Sequence, residues 1–232
     1  MKKNKHILAV AALVTGLSFG FASHAIAFGF GDVTGAAGNA SKAKDAIDKA
    51  KPKVDAFELS ARATLRQLAH ALEYMRYATA TKEDRAKIKQ ALADADAITD
   101  PNEQEAKYTA MLKTDSAQIQ TDSASGALQA RISEENGVVA KAVVVSTLNT
   151  AGAGIRITGL VKQGQVLVAA SKQDELAAPA YVPLLKTVPW LVWSVKISAD
   201  LVAENVKLLR TANVAITIPT SSDTVAPAMD LH

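Results

Sequence analysis

Residues 47–75 read IDKAKPKVDAFELSARATLRQLAHALEYM. Within this stretch apolar side chains recur at Ile47, Ala50, Val54, Phe57, Ala61, Leu65, Leu68, Leu72 and Met75, always three or four positions apart. A helix with 3.6 residues per turn places them all on one stripe, so the stretch predicts a long amphipathic helix starting near Ser41. The spacing approaches a heptad, the pattern of a bundle or coiled-coil seam, which either the same chain or a second copy can fill. Pro52 removes one backbone donor inside the stripe, so the helix either kinks or begins there.

Downstream the signals stay helical. Thr81 with Asp84 reads as a cap for a shorter helix carrying Ile88, Leu92, Ala95 and Ile98. Asp100, Pro101 and Glu103 supply an N-cap acceptor, a proline where no donor is needed and an acid three residues after the cap. The helix they open carries Tyr108, Met111, Leu112 and Ile119, with an interruption expected at 123–126 and a turn at Asn136-Gly137. Between 138 and 170, β-branched runs flank Ala151-Gly152-Ala153-Gly154. The favoured reading is a buried helix or helical hairpin whose small residues admit close helix approach. The alternative is a small β-hairpin within 138–170, because Ile155, Ile157, Gly159 and Val161 alternate with Arg156, Thr158 and Lys162.

Pro179, Pro183 and Pro189 break the chain before a last helix, expected from about Pro189 to Arg210. Its two apolar lines within 188–209 predict a central element with Trp193, Ile197 and Leu201 buried. The remainder, 213–232, is rich in Ser, Thr, Pro and Ala and is expected to be loose. Aromatics make up only 5% of the chain and alanine is abundant, which suits closely packed helices. The expected fold is therefore mainly α: an antiparallel helical bundle with long amphipathic helices spanning 41–212.

Upstream, Lys2, Lys3 and Lys5 precede an apolar run ending at Phe21, and Ala25-Ile26-Ala27 offers small residues where a signal peptidase reads. That pattern predicts a cleaved signal peptide, 1–27, and a periplasmic protein, with secretion as the alternative. Residues 28–40 then form a Gly-rich arm, expected to be flexible, in which Phe28 and Phe30 are placed to dock into a partner groove. The chain contains no cysteine, which excludes disulfides, thiolate metal sites, cysteine nucleophiles, lipoprotein anchoring and c-type haem attachment. The balance of 26 basic and 23 acidic side chains includes the three leader lysines, so the mature part is formally neutral. Neutrality and alternating charge signs give no electrostatic footprint for nucleic acid.

The residues themselves carry no motif for chemistry. After cleavage only His70 and His232 remain, too few for a histidine metal site, and His70 lies beside the apolar stripe as a surface or boundary residue. Asp94 and Asp96 fall on different helix faces. No nucleophile elbow, phosphate loop, dinucleotide fingerprint or zinc-protease helix is written in the chain. Gly152, Gly154, Gly159 and Gly164 lack phosphate-loop spacing and suit close helix packing instead. No catalytic residue, metal or cofactor is expected, and the chain reads as a non-enzyme. Besides the two phenylalanines, Tyr74 and Tyr77, and then Tyr181, Trp190 and Trp193, are the side chains that suit partner or lipid contact. The resulting expectation is a scaffold or adaptor that binds another envelope protein or itself. The alternative is a membrane-active or lipid-handling protein that uses the apolar segments 138–170 and 188–209, with membrane contact.

Overall fold

The computed structural model describes residues 37–134, 137–221 and 229. The expected signal peptide 1–27, together with Phe28 and Phe30, lies outside the described residues. The described chain is mainly helical: α1 (Ala37–Thr79), α2 (Lys82–Ala97), α3 (Pro101–Ala124), α4 (Ala127–Glu134), α5 (Val138–Ser171), a 3-10 helix (Glu175–Tyr181) and α6 (Leu184–Thr211).

The stripe of α1 is the spine of the core. Every stripe residue from Ala50 to Met75 is buried, and Ile47 is half-buried. The helix starts at Ala37, within the last part of the expected arm, and continues through Pro52. Lys51, Pro52 and Lys53 are all exposed, so the proline falls on the solvent face of α1, where a missing backbone donor costs least. The expected caps form: Thr81 Oγ1 accepts from the Asp84 N–H, and the Asp100 carboxylate accepts from the Asn102 and Glu103 N–H groups. Between α3 and α4 the chain turns at Gly126, and Gly137 precedes α5; both take positive φ angles, 78° and 84°.

The small β-hairpin within 138–170 does not form; the whole stretch lies in α5, and no strand occurs among the described residues. The alternation at 155–162 sits inside a longer helical pattern. Ile157, Leu160, Val161, Gly164, Leu167 and Ser171 are buried, while Arg156, Lys162 and Gln163 are exposed. Spacings of three and four over several turns outweigh a short run of twos.

α5 occupies the middle of the fold, packing extensively on both α1 and α6. Gly164 makes this possible: a Cβ built there would lie 2.5 Å from Val188 Cγ2 and 2.9 Å from Phe57 Cζ. Gly154 is similarly close to α6, with Ser198 Cβ 3.1 Å from an added Cβ, whereas Gly152 and Gly159 face open space. Further along, Ser146 Oγ donates to the Ala71 carbonyl at 2.7 Å and Asn205 Nδ2 approaches Met75 Sδ at 3.5 Å.

α6 begins at Leu184, earlier than Pro189, and shares the centre with α5 instead of holding it alone. Leu201 is buried as expected, but Trp193 and Ile197 are only half-buried. The inward line is Leu184, Val188, Leu191, Val195, Ser198, Leu201 and Val202, because the small residues of α5 accept short side chains there and turn the indoles toward the rim. Of the stretch expected to be loose, 214–219 is extended without regular structure, and Val214, Ile216 and Ile218 are half-buried against the helices.

Candidate functional site

Beside the apolar stripe, α1 carries a second line: Arg62, Arg66, His70, Glu73 and Arg76, again three or four apart. This line meets the end of α2 and one face of α3, and it gathers the ionisable groups of the bundle into three tiers.

In the outermost tier, Arg62 Nε donates to Glu105 Oε2 at 3.2 Å and its Nη2 to Asn102 Oδ1 at 3.1 Å. Lys186 at the start of α6 approaches the other Glu105 oxygen at 3.5 Å. These contacts lie near the surface, where an ion pair contributes about 1 kcal/mol or less.

In the middle tier, one oxygen of Asp96 is shared by three helices. Tyr108 O–H donates to Asp96 Oδ1, Arg66 Nη2 lies 2.9 Å from it, and His70 Nε2 lies 3.1 Å from it. The last contact needs the Nε2–H form of the imidazole, since an ionised carboxylate only accepts. The His70 and Tyr108 rings are 6.0 Å apart and tilted. Burial works to raise the Asp96 carboxyl, but the hydrogen bonds from Tyr108 and His70 and the nearby Arg66 charge outweigh it and hold Asp96 below the usual carboxylate value. The Tyr108 phenol is pushed well up, first by burial and then by its hydrogen bond to Asp96.

The innermost tier is the unusual one. Glu73 and Asp115 are 2% and 1% exposed, and Arg76 is the cation that reaches them. Arg76 Nη1 donates to Asp115 Oδ1 at 2.5 Å and stands 3.7 Å from Glu73 Oε2. Burial, and then the neighbouring Asp115 charge, push the Glu73 carboxyl up to about 8. Burial also raises Asp115, against the pull of Arg76 and of its hydrogen bond with Glu73. Burial therefore favours the protonated form of Glu73 at neutral pH, while Arg76 favours the charged form of Asp115. Glu73 Oε2 and Asp115 Oδ2 are buried without a hydrogen-bond partner.

Chemically, this seam can hold a proton and can pin α1, α2 and α3 in register. Among the described residues, no three His, Asp or Glu side chains converge as a metal would require.

The aromatic residues singled out in the sequence fall into separate places. Tyr77 is half-buried at the end of α1 beneath the Arg85 guanidinium, 5.8 Å from its ring centre, and Arg85 donates to the Tyr77 and Ala78 carbonyls. Tyr74 is half-buried one turn earlier. Trp190 and Trp193 pack together on α6 with ring centres 6.4 Å apart, and with Tyr181 they lean on the main core. These sit toward the Val188 level of α6, which meets Phe57 on α1. At 1.5 Å per residue, Tyr74 and Tyr77 are roughly 25 to 30 Å further along α1, so the two groups do not form one site. The sequence reading took Asp96 as an acid on its own helix face and Tyr108 as part of an apolar face, and it gave Asp115 no role. Their signal is register: the polar line of α1 at positions 62, 66, 70, 73 and 76 has counterparts of matching spacing at 105, 108 and 115.

Compared with known proteins, the chain matches no family model, no curated protein and no solved structure.

Proposed function

We propose that this is an exported bacterial envelope protein, periplasmic or released, that works without catalysis as a scaffold or adaptor for another envelope protein or for itself. The observation that carries this reading is the distribution of apolar and polar groups. The seam ionisable groups are occupied in holding helix to helix, whereas large apolar side chains are exposed at Leu176 in the 3-10 helix, at Val182 and at Leu185 in the first turn of α6. Three large exposed apolar groups within ten residues suit a docking surface. An antiparallel course of α1 and α5 is part of this reading. Its support is the pairing of Phe57 with Gly164, Gln67 with Arg156 and Ala71 with Ser146, which runs in opposite sequence order on α1 and α5. The test is crosslinking in intact envelopes and co-purification of the mature chain, repeated with Leu176, Val182 and Leu185 changed to Ser. Retained partners in the wild type and their loss in the variant support the reading. A strict monomer that retrieves nothing removes it.

A second reading, a membrane-active or lipid-handling protein, has one observation in its favour: α5 is long and apolar enough to cross a membrane, with mean hydropathy 1.5 over its best window. Against it, 67% of that window is buried inside the bundle, and Arg156 and Lys162 follow. Flotation with liposomes and release of an entrapped dye separate the two readings.

A further inference from the structure

α3 joins the bundle differently from the other long helices. α5 and α6 pack extensively on each other, and α5 on α1, whereas α3 rests mainly on α1. The first half of α3 carries Tyr108, Met111 and Leu112 inward and is tied down by the contacts of Arg62 with Glu105 and of Tyr108 with Asp96. From Lys113 to Ala124 the buried residues are Asp115, Ser116 and Ile119, so a single large apolar side chain and a carboxylate face inward over about three turns. That carboxylate meets Glu73. The charged groups acting on Glu73 are Arg76 of α1 and Asp115 and Lys107 of α3, and Lys107 is exposed. α5 and α6 reach the neighbouring Ala71 and Met75 through the uncharged Ser146 and Asn205.

With Glu73 protonated, this level of the interface sets one buried anion against Arg76. With Glu73 ionised it sets two, and Glu73 Oε2 and Asp115 Oδ2 are both buried without a hydrogen-bond partner. A charge held in that position costs far more than one that reaches water. Glu73 belongs to the spine of the core, so the thinly held half of α3 is the part that can yield.

We propose that Glu73 is a proton-operated latch: while it carries its proton the second half of α3 and α4 lie against the bundle, and its ionisation lets them lift off, hinged at the Tyr108–Asp96 contact, with α1, α5 and α6 still packed together. The latch goes beyond the scaffold reading and does not depend on it. Release uncovers Ile119, Leu128 and Ile132, all buried in the closed form. The direction follows from the Glu73 value of about 8 in place of 4.5: the closed form binds a proton that the released form does not. Release therefore becomes more frequent as pH rises between those values and levels off above them.

Hydrogen exchange read by mass spectrometry on the purified protein, corrected for the intrinsic rise of exchange with pH, tests this. Between pH 6 and pH 8 the protection of 113–132 should fall roughly tenfold or more, while that of α5 and α6 holds. Glu73→Gln keeps the shape without the titration, and its protection of 113–132 should stay nearly constant over the same range. On the wild type, the Glu73 carboxyl carbon followed by NMR should titrate above pH 7, a readout that stands if Glu73→Gln fails to fold. Protection of 113–132 that is flat with pH, or that falls in step with α5 and α6, overturns the latch. So does an undiminished fall in a folded Glu73→Gln protein, or a Glu73 carboxyl that titrates in the ordinary carboxylate range.

Discussion

Arg76 and Asp115 meet at 2.5 Å across the interface of α1 and α3, an arginine that is partly exposed reaching a carboxylate that is 1% exposed. Removing one partner of such a pair costs more than the pair contributes, because the other charge stays buried. Arg76→Met should destabilise the protein by about 3 kcal/mol, toward the low end for a broken buried pair, since Asp115 can take up a proton. A denaturant titration at pH 7 reads this directly. A change below about 0.5 kcal/mol, the scale of an ordinary surface substitution, would show that the tier does not hold α3 to α1.

Glu73 sets a pH dependence of definite sign. Its folded-state value of about 8 lies above its ordinary 4.5, so between those values the folded protein binds a proton that the unfolded chain does not. Stability attributable to this group therefore falls as pH rises through that window and levels off above it. Asp96 acts oppositely and elsewhere: its lowered value means its contribution is present above the ordinary 3.8 and is lost as the pH drops below it. Glu73→Gln keeps a hydrogen-bonding amide without the titration. Its unfolding midpoint should vary less than that of the wild type between pH 5 and pH 9, and should exceed it at pH 9. Parallel profiles for the two proteins would place the sensitive group elsewhere.

How much of this could be read in advance follows from what each pattern depends on. The α1 stripe was legible because burial on a long helix repeats over many turns, and the caps at Thr81 and Asp100 because capping is local chemistry. α5 was ambiguous because Ile155 to Val161 satisfies a period of two while the full stretch satisfies 3.6, and only length separates them. The inward line of α6 was misplaced onto Trp193 and Ile197 because the small residues of α5 that set it lie some forty positions away in sequence. The seam was missed for the same kind of reason: Glu73 is one more charge on an exposed-looking face until Asp115 is brought opposite it.

Gly159 and Gly164 differ by five residues on one helix and should respond to alanine with opposite signs. A Cβ at Gly159 meets nothing within 4 Å, so Gly159→Ala gains helix propensity and should stabilise by about 0.5 to 1 kcal/mol. At Gly164 the same methyl would lie 2.5 Å from Val188 Cγ2 and 2.9 Å from Phe57 Cζ, both on buried side chains. Overpacking of this kind costs about 1 to 3 kcal/mol, beyond what propensity returns. Thermal unfolding of the two variants side by side checks the closeness of α1, α5 and α6; equal shifts would mean that the three helices do not converge at Gly164.

Leu201 distinguishes a packed α6 from one held loosely. Its side chain is 1% exposed within the main core, whereas Asp200 beside it is exposed. Leu201→Ala should cost about 2 to 5 kcal/mol, and Asp200→Ala should stay within about 0.5 kcal/mol. The contrast matters for function as well as fold. A helix that leaves the bundle to enter a bilayer would tolerate Leu201→Ala with little change in melting temperature while losing liposome binding. A helix that serves as fixed support for the exposed Leu176, Val182 and Leu185 would instead show a large fall in melting temperature, with partner capture unchanged below the transition. Melting curves of the one variant, measured with and without liposomes, therefore choose between the scaffold and the membrane-active readings.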